Sequence, residues 1–99
     1  MAFQVRLSDD AKRQLANLPA FDRRRVADAI EKNLLHEPFA ATMHRKELRE
    51  NELAPWELRV GHLRVFYRAD PDDPLTVRVL ALGDKRGNKV FIDGREYKL

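Results

Sequence analysis

In the stretch WELRVGHLRVFYR, Trp56 to Arg68, two arginines stand at equal distances from a Gly61-His62 pair. If Gly61 and His62 are the central residues of a tight type II′ turn, Val60 pairs with Leu63 and Arg59 lies directly across from Arg64. Like charges opposite one another on neighbouring strands are destabilising, by roughly 0.2–1 kcal/mol, so something must offset them. Two readings stay open. Glu57 and other acids could partner the guanidinium groups, or solvent could screen them. Alternatively the two planar forks hold an anion, a geometry that suits phosphate. A second basic cluster, GDKRGNKV with Lys85, Arg86 and Lys89, follows an apolar strand-like run. Loops at strand ends commonly carry sites because the rigid sheet aims their side chains. Gly83 and Gly87 could let backbone N–H groups face an anion there, although turn chemistry accounts for them equally.

The elements that must position these residues are legible in the hydrophobic pattern. FQVRL alternates Phe3, Val5 and Leu7 with polar residues, a half-buried strand. Ser8 offers an N-cap oxygen and Asp9 and Asp10 place negative charge in a first helical turn, so a short helix is expected to about Asn17. Pro19 interrupts, and Phe21, Val26, Ala29, Ile30 and Leu34 repeat with helical spacing until Pro38 closes the segment. The arginines at 23–25 have Asp22, Asp28 and Glu31 as neighbours and read as a solvated helix face. Residues 39–55 are expected to form a loop or a frayed turn. WELRV, LRVFYRA and LTVRVLALG are strands, with Val90–Ile92 as a further short strand and Asp93-Gly94 as a turn. In this register Trp56, Leu58, Val60, Leu63, Val65 and Tyr67 share one apolar face for the helices to cover. Glu57, Arg59, Arg64, Phe66 and Arg68 share the other.

Composition narrows the classes of function. The 99 residues suffice for a single domain over 1–99, and 43% hydrophobic with 35% charged residues suits a soluble globular chain. There is no cysteine, and the three histidines lack metal-site spacing, so no metal and no cofactor are expected. Neither a signal-peptide core nor 18 consecutive apolar residues occurs, which points to a cytoplasmic protein without a membrane partner. Residues 8–37 carry six basic and six acidic side chains, so the net charge of +3 resides in Arg6 and the chain beyond Pro38. An anion site belongs to that later part.

The succession of strand, helical hairpin, ELRVGHLRVFYRAD and VRVLALGDKRGNKVF resembles the RelE/ParE superfamily of toxins from type II toxin-antitoxin systems. The resemblance spans nearly the whole chain and is most specific from Trp56 to Arg86. It implies an α+β fold, an N-terminal helical hairpin packed on one face of a twisted, mostly antiparallel sheet of about four strands. It also implies metal-independent, ribosome-dependent cleavage of mRNA, by attack of a ribose 2′-OH on the adjacent phosphate. On this reading Arg59, Arg64 and Arg86 converge on the sheet's open face; Glu57 as base and His62 as acid substitute for the family's acid-base pair, with His44, Lys46, Glu47, Tyr67 or Tyr97 as further candidates. Arg45, Lys46, Arg68, Lys85 and Lys89 contact RNA. The implied partners are a cognate antitoxin, the ribosome and mRNA. Two residues depart from the RelE-type pattern: Glu57 stands where a basic residue is usual, and Phe91 where a tyrosine is. The alternatives are a ParE-like toxin that inhibits DNA gyrase through protein contacts, and a catalytically weak module held by an antitoxin.

Overall fold

The computed structural model describes residues 2–99. Its elements are β1 (Gln4–Leu7), α1 (Asp9–Ala16), α2 (Ala20–Leu34), β2 (Arg45–Glu47), β3 (Trp56–Val60), β4 (Leu63–Ala69), β5 (Thr76–Arg86), β6 (Lys89–Ile92) and β7 (Arg95–Tyr97). All seven strands form one sheet in the order β2-β3-β4-β5-β6-β7, antiparallel throughout, with β1 parallel to the first half of β5. The α+β architecture is the expected one, with more strands than the expected four. Part of the difference is β2, which lies in the stretch expected to be loop; three polar residues, RKE, carry no alternation that would reveal a strand.

Local chemistry explains the helical hairpin. The Ser8 hydroxyl accepts from the Ala11 N–H at 3.0 Å, satisfying one of the free donors of α1. The loop after α2 is held by an aromatic cluster. Phe39 lies 6.0 Å from each of Phe3, Trp56 and Tyr67, and the Tyr67 hydroxyl donates to the Pro38 carbonyl at 2.6 Å. Burial pushes the Tyr67 phenol above its ordinary pKa, so it remains a donor. The helices cover the face built from Trp56, Leu58, Val60, Leu63, Val65 and Tyr67, joined by Val77, Val79 and Leu82.

Three features of β5 decide what the opposite face looks like. Between β1, which ends opposite Val79, and β6, which begins opposite Asp84, the β5 edge has no strand neighbour. Ser8 fills part of that gap, its N–H donating to Val79 O at 2.9 Å and its hydroxyl to Leu80 O at 2.8 Å. Gln14 fills the rest, accepting from Leu82 N–H at 2.7 Å. Second, a β-bulge sets Phe66 opposite Ala81 and Tyr67 opposite Val79, leaving Leu80 as the extra residue. Third, β5 runs past β1 and carries the β6–β7 hairpin, whose Val90 and Ile92 pack with Ala54, Ala81 and Phe66. The face expected to be open is therefore covered in its middle, and Phe66 is fully buried. Asp93 and Gly94 turn the hairpin with φ of +53° and +80°, the type I′ geometry that Asp-Gly favours.

Candidate functional site

The β3–β4 hairpin has the register read from its sequence: Val60 pairs with Leu63 and Arg59 with Arg64. Gly61 has φ +61° and His62 does not adopt a positive φ, as a type II′ turn requires. The juxtaposed arginines are offset by an internal carboxylate. Glu57 is 5% exposed at its side chain, its Oε2 3.7 Å from Arg59 Nε and its Oε1 3.7 Å from Arg64 Nε. The two guanidinium groups differ in what remains free. Arg64 is buried, and its Nη1 donates to Gly61 O at 2.7 Å and Leu63 O at 2.8 Å, while its Nε has no hydrogen-bond partner. Burial pulls the Arg64 guanidinium below its ordinary pKa; Glu57 opposes this and Arg59 adds to it. Arg59 keeps 43% of its side chain exposed.

Lys46 lies directly across from Glu57 on β2. Beside this pair a groove of about 440 Å3 opens, lined by Lys46, Arg49, Glu57, Lys85 and Asn88 among others. It holds two carboxylates, Glu57 and Glu47, amid three cations, Lys46, Arg49 and Lys85, an arrangement able to accept a proton and to neutralise a phosphate in one place. Arg49 and Asn88 were not singled out from sequence. Arg49 belongs to HRKELREN, whose polar pattern hides its proximity to Glu57, and Asn88 occupies the Gly87-Asn88 turn between β5 and β6.

Other expected site residues lie elsewhere. Gly83 is opposite Arg64, so Lys85 shares the groove face, whereas Asp84 and Arg86 alternate to the helix side. Arg86 donates from Nε to Asp84 at 3.0 Å and rests 5.3 Å from the Phe91 ring centroid. His62 Nδ1 is 2.9 Å from the same carboxylate. Burial raises the Asp84 pKa, but the hydrogen bonds with His62 and Arg86 outweigh it and hold the carboxyl below its ordinary value. Arg86 and His62 thus form a cluster of their own and do not join Arg59 and Arg64. Arg45, expected to contact RNA, is buried instead: Nε donates to Ala40 O at 2.8 Å and Nη1 to Asn33 O at 3.1 Å, tying the loop to the C-terminal end of α2. Lys89 is exposed beside Glu96 at 3.7 Å. Arg68, also exposed, lines a separate groove with Arg49.

The fold has close counterparts among solved structures. It is similar to a chain of the toxin-antitoxin complex RelBE2 from Mycobacterium tuberculosis, with a TM-score of 0.69 and 29% identity over 87% of this chain and 100% of that one. A chain of the archaeal RelE-RelB complex from Pyrococcus horikoshii OT3 shares the fold, with a TM-score of 0.67 and 24% identity over 88% of this chain and 98% of that one. No curated protein is significantly similar in sequence. The sequence model of the family described as ParE toxin of type II toxin-antitoxin system, parDE, matches residues 5–88, a span that begins in β1 and takes in the hairpin, the bulge and all of β5. The chain therefore belongs to that ParE toxin family, within the RelE/ParE superfamily that residues 56–86 resemble.

Proposed function

We propose that this toxin is a metal-independent endoribonuclease that cuts mRNA on the ribosome and is neutralised by a cognate antitoxin. The observation that carries this is Glu57, a carboxylate set at a basic groove among Lys46, Arg49 and Lys85 and flanked by Arg59 and Arg64. In the reaction, Glu57 takes the proton of a ribose 2′-OH as that oxygen attacks the adjacent phosphorus. The P–O5′ bond breaks, leaving a 2′,3′-cyclic phosphate, and the Lys46 ammonium returns a proton to the departing 5′ oxygen. Arg59 and Lys85 stabilise charge developing on the phosphoryl oxygens. Arg64 holds Glu57 in place from beneath. His62 and Arg86 take no part, because strand parity and Asp84 keep them on the other side of the sheet. An antitoxin partner is supported by the structural relatives, both solved as toxin-antitoxin complexes.

A second reading, inhibition of DNA gyrase through protein contacts, is favoured by one observation: Arg64 is buried and its Nη1 donates to two carbonyls of its own turn. Expression in a bacterium with mapping of mRNA 5′ ends, alongside a gyrase supercoiling assay, separates the two. The ribonuclease reading expects cuts clustered at codon positions, and a loss on the order of 10²- to 10⁴-fold for Glu57→Gln, as for removal of a general base. Intact mRNA with impaired supercoiling would replace it by the gyrase reading.

A further inference from the structure

His62 and Arg86 take no part in the groove at Glu57, yet the cluster they form has a chemistry of its own. His62 stands at the tip of the β3–β4 turn with 54% of its side chain exposed, and its Nδ1 lies 2.9 Å from Asp84 Oδ1. Asp84 stays ionised at neutral pH, because its hydrogen bonds with His62 and Arg86 lower its pKa by more than burial raises it. An ionised carboxylate only accepts, so the neutral ring carries its proton on Nδ1 and its lone pair on Nε2. A carboxylate in this position orients an imidazole and makes its other nitrogen more basic. Arg86 donates from Nε to the second oxygen of Asp84 at 3.0 Å, which holds its guanidinium next to the imidazole while 71% of its side chain stays exposed. The other arginines at this turn are matched elsewhere: Arg25, which packs against Gly61, by Asp22 and Arg64 by Glu57, each pair at 3.7 Å.

We propose that His62 is a phosphoryl-acceptor site, with Nε2 as nucleophile, Asp84 as positioning residue and Arg86 as the clamp for the transferred group. The Nε2 lone pair attacks phosphorus and forms an N–P bond. The donor's own bond to phosphorus breaks, and its electron pair returns to the donor atom, which takes a proton from water. The ring, now carrying a proton on one nitrogen and phosphorus on the other, is cationic, and Asp84 stabilises that charge. The planar Arg86 guanidinium suits the phosphoryl oxygens. Phosphorus on an imidazole is readily lost to water, so the donor must hold its phosphoryl group as weakly; this selects a phosphoramidate, in which nitrogen already bears the phosphorus, over a phosphate ester. The site is on the far side of the sheet from Glu57 and does not rest on the ribonuclease reading.

The test treats the full chain with potassium phosphoramidate, following the gain of phosphoryl groups by intact mass, the site by peptide mapping and the ring nitrogen by phosphorus NMR. His36 and His44 are internal controls: both are exposed, and among the described residues neither pairs with a carboxylate. His62 should be phosphorylated on Nε2 at least about tenfold faster than either, and Asp84→Asn should remove that advantage, as loss of an orienting carboxylate does. His62→Gln should abolish the fast phase, and Arg86→Gln should raise the donor concentration it needs. A merely structural His62–Asp84 pair predicts lower thermal stability for these variants and no difference in rate among the three histidines of the parent chain. Equal rates in the parent, attachment at Nδ1, or an Asp84→Asn variant that keeps the parent's circular dichroism and its fast phase would overturn the proposal.

Discussion

Replacing Gly83 by alanine tests how the β6–β7 hairpin is seated over the groove face. Gly83 does not adopt a positive φ, so nothing in its own backbone demands glycine. On conformational grounds alone Gly83→Ala should stabilise the fold by about 0.4–1 kcal/mol, because alanine restricts the unfolded chain. The contacts say the opposite. An added Cβ would lie 3.0 Å from Val90 Cγ1, 3.0 Å from Ile92 Cγ1 and 3.2 Å from Phe66 Cε2, inside ordinary van der Waals separation. All three neighbours are buried, so none can swing into solvent. Overpacking of this kind costs about 1–3 kcal/mol. Taken at the middle of each range, the two effects leave a net destabilisation of about 1.3 kcal/mol, and in a domain of this size that lowers Tm by roughly 5–10 °C. Urea denaturation followed by Trp56 fluorescence would measure it. The argument also predicts coupling: in a Val90→Ala background, which removes the crowding methyl, the cost of Gly83→Ala should shrink. An alanine variant as stable as the parent, or a cost unchanged by Val90→Ala, would refute it.

Asp93 anchors the same hairpin to α1, accepting from both terminal nitrogens of Arg13 at 3.0 Å and from Gln14 at 2.9 Å. The Arg13 bonds, with Gln14, lower the Asp93 pKa from 3.8 to about 2. Because the folded value is the lower one, the contribution is fully present above about 3.8 and fades as pH falls towards 2. Asp93→Asn should be less stable than the parent at pH 7, with the difference closing over that window in thermal melts. Tyr67→Phe strands the buried Pro38 carbonyl and should cost about 1–2 kcal/mol by urea titration. Arg45→Ala should cost about 2–3 kcal/mol by the same measurement, for two lost carbonyl partners, while leaving cleavage per folded molecule unchanged. His62→Ala should alter mRNA cleavage less than about twofold, since the ring sits with Asp84 on the far side of the sheet; a loss on the scale of a general acid would return His62 to the mechanism.

The local chemistry of this chain was enough to fix its parts. Ser8 and the two aspartates start α1, Gly61-His62 and Asp93-Gly94 specify their turns, and two-residue alternation sets Arg59 across from Arg64 with Trp56 and Tyr67 on the opposite face. Each of these depends on residues within a few positions of one another, which a sequence displays directly. Which residues meet at the site depended on longer range. Continued alternation from Val77 and Val79 would have carried Arg86 to the groove face. The extra residue at Leu80 reverses the parity of β5 beyond it, so Leu82 turns to the helices, Lys85 enters the groove and Arg86 leaves it. Similarly, the polar run HRKELREN does not reveal that β2 will pair with β3 and put Lys46 against Glu57 while Arg45 turns inward to the carbonyls of Ala40 and Asn33. A bulge and an edge pairing are settled by the packing of the whole sheet, where burial of Phe66 and Leu82 on opposite faces outweighs the regularity of any one strand.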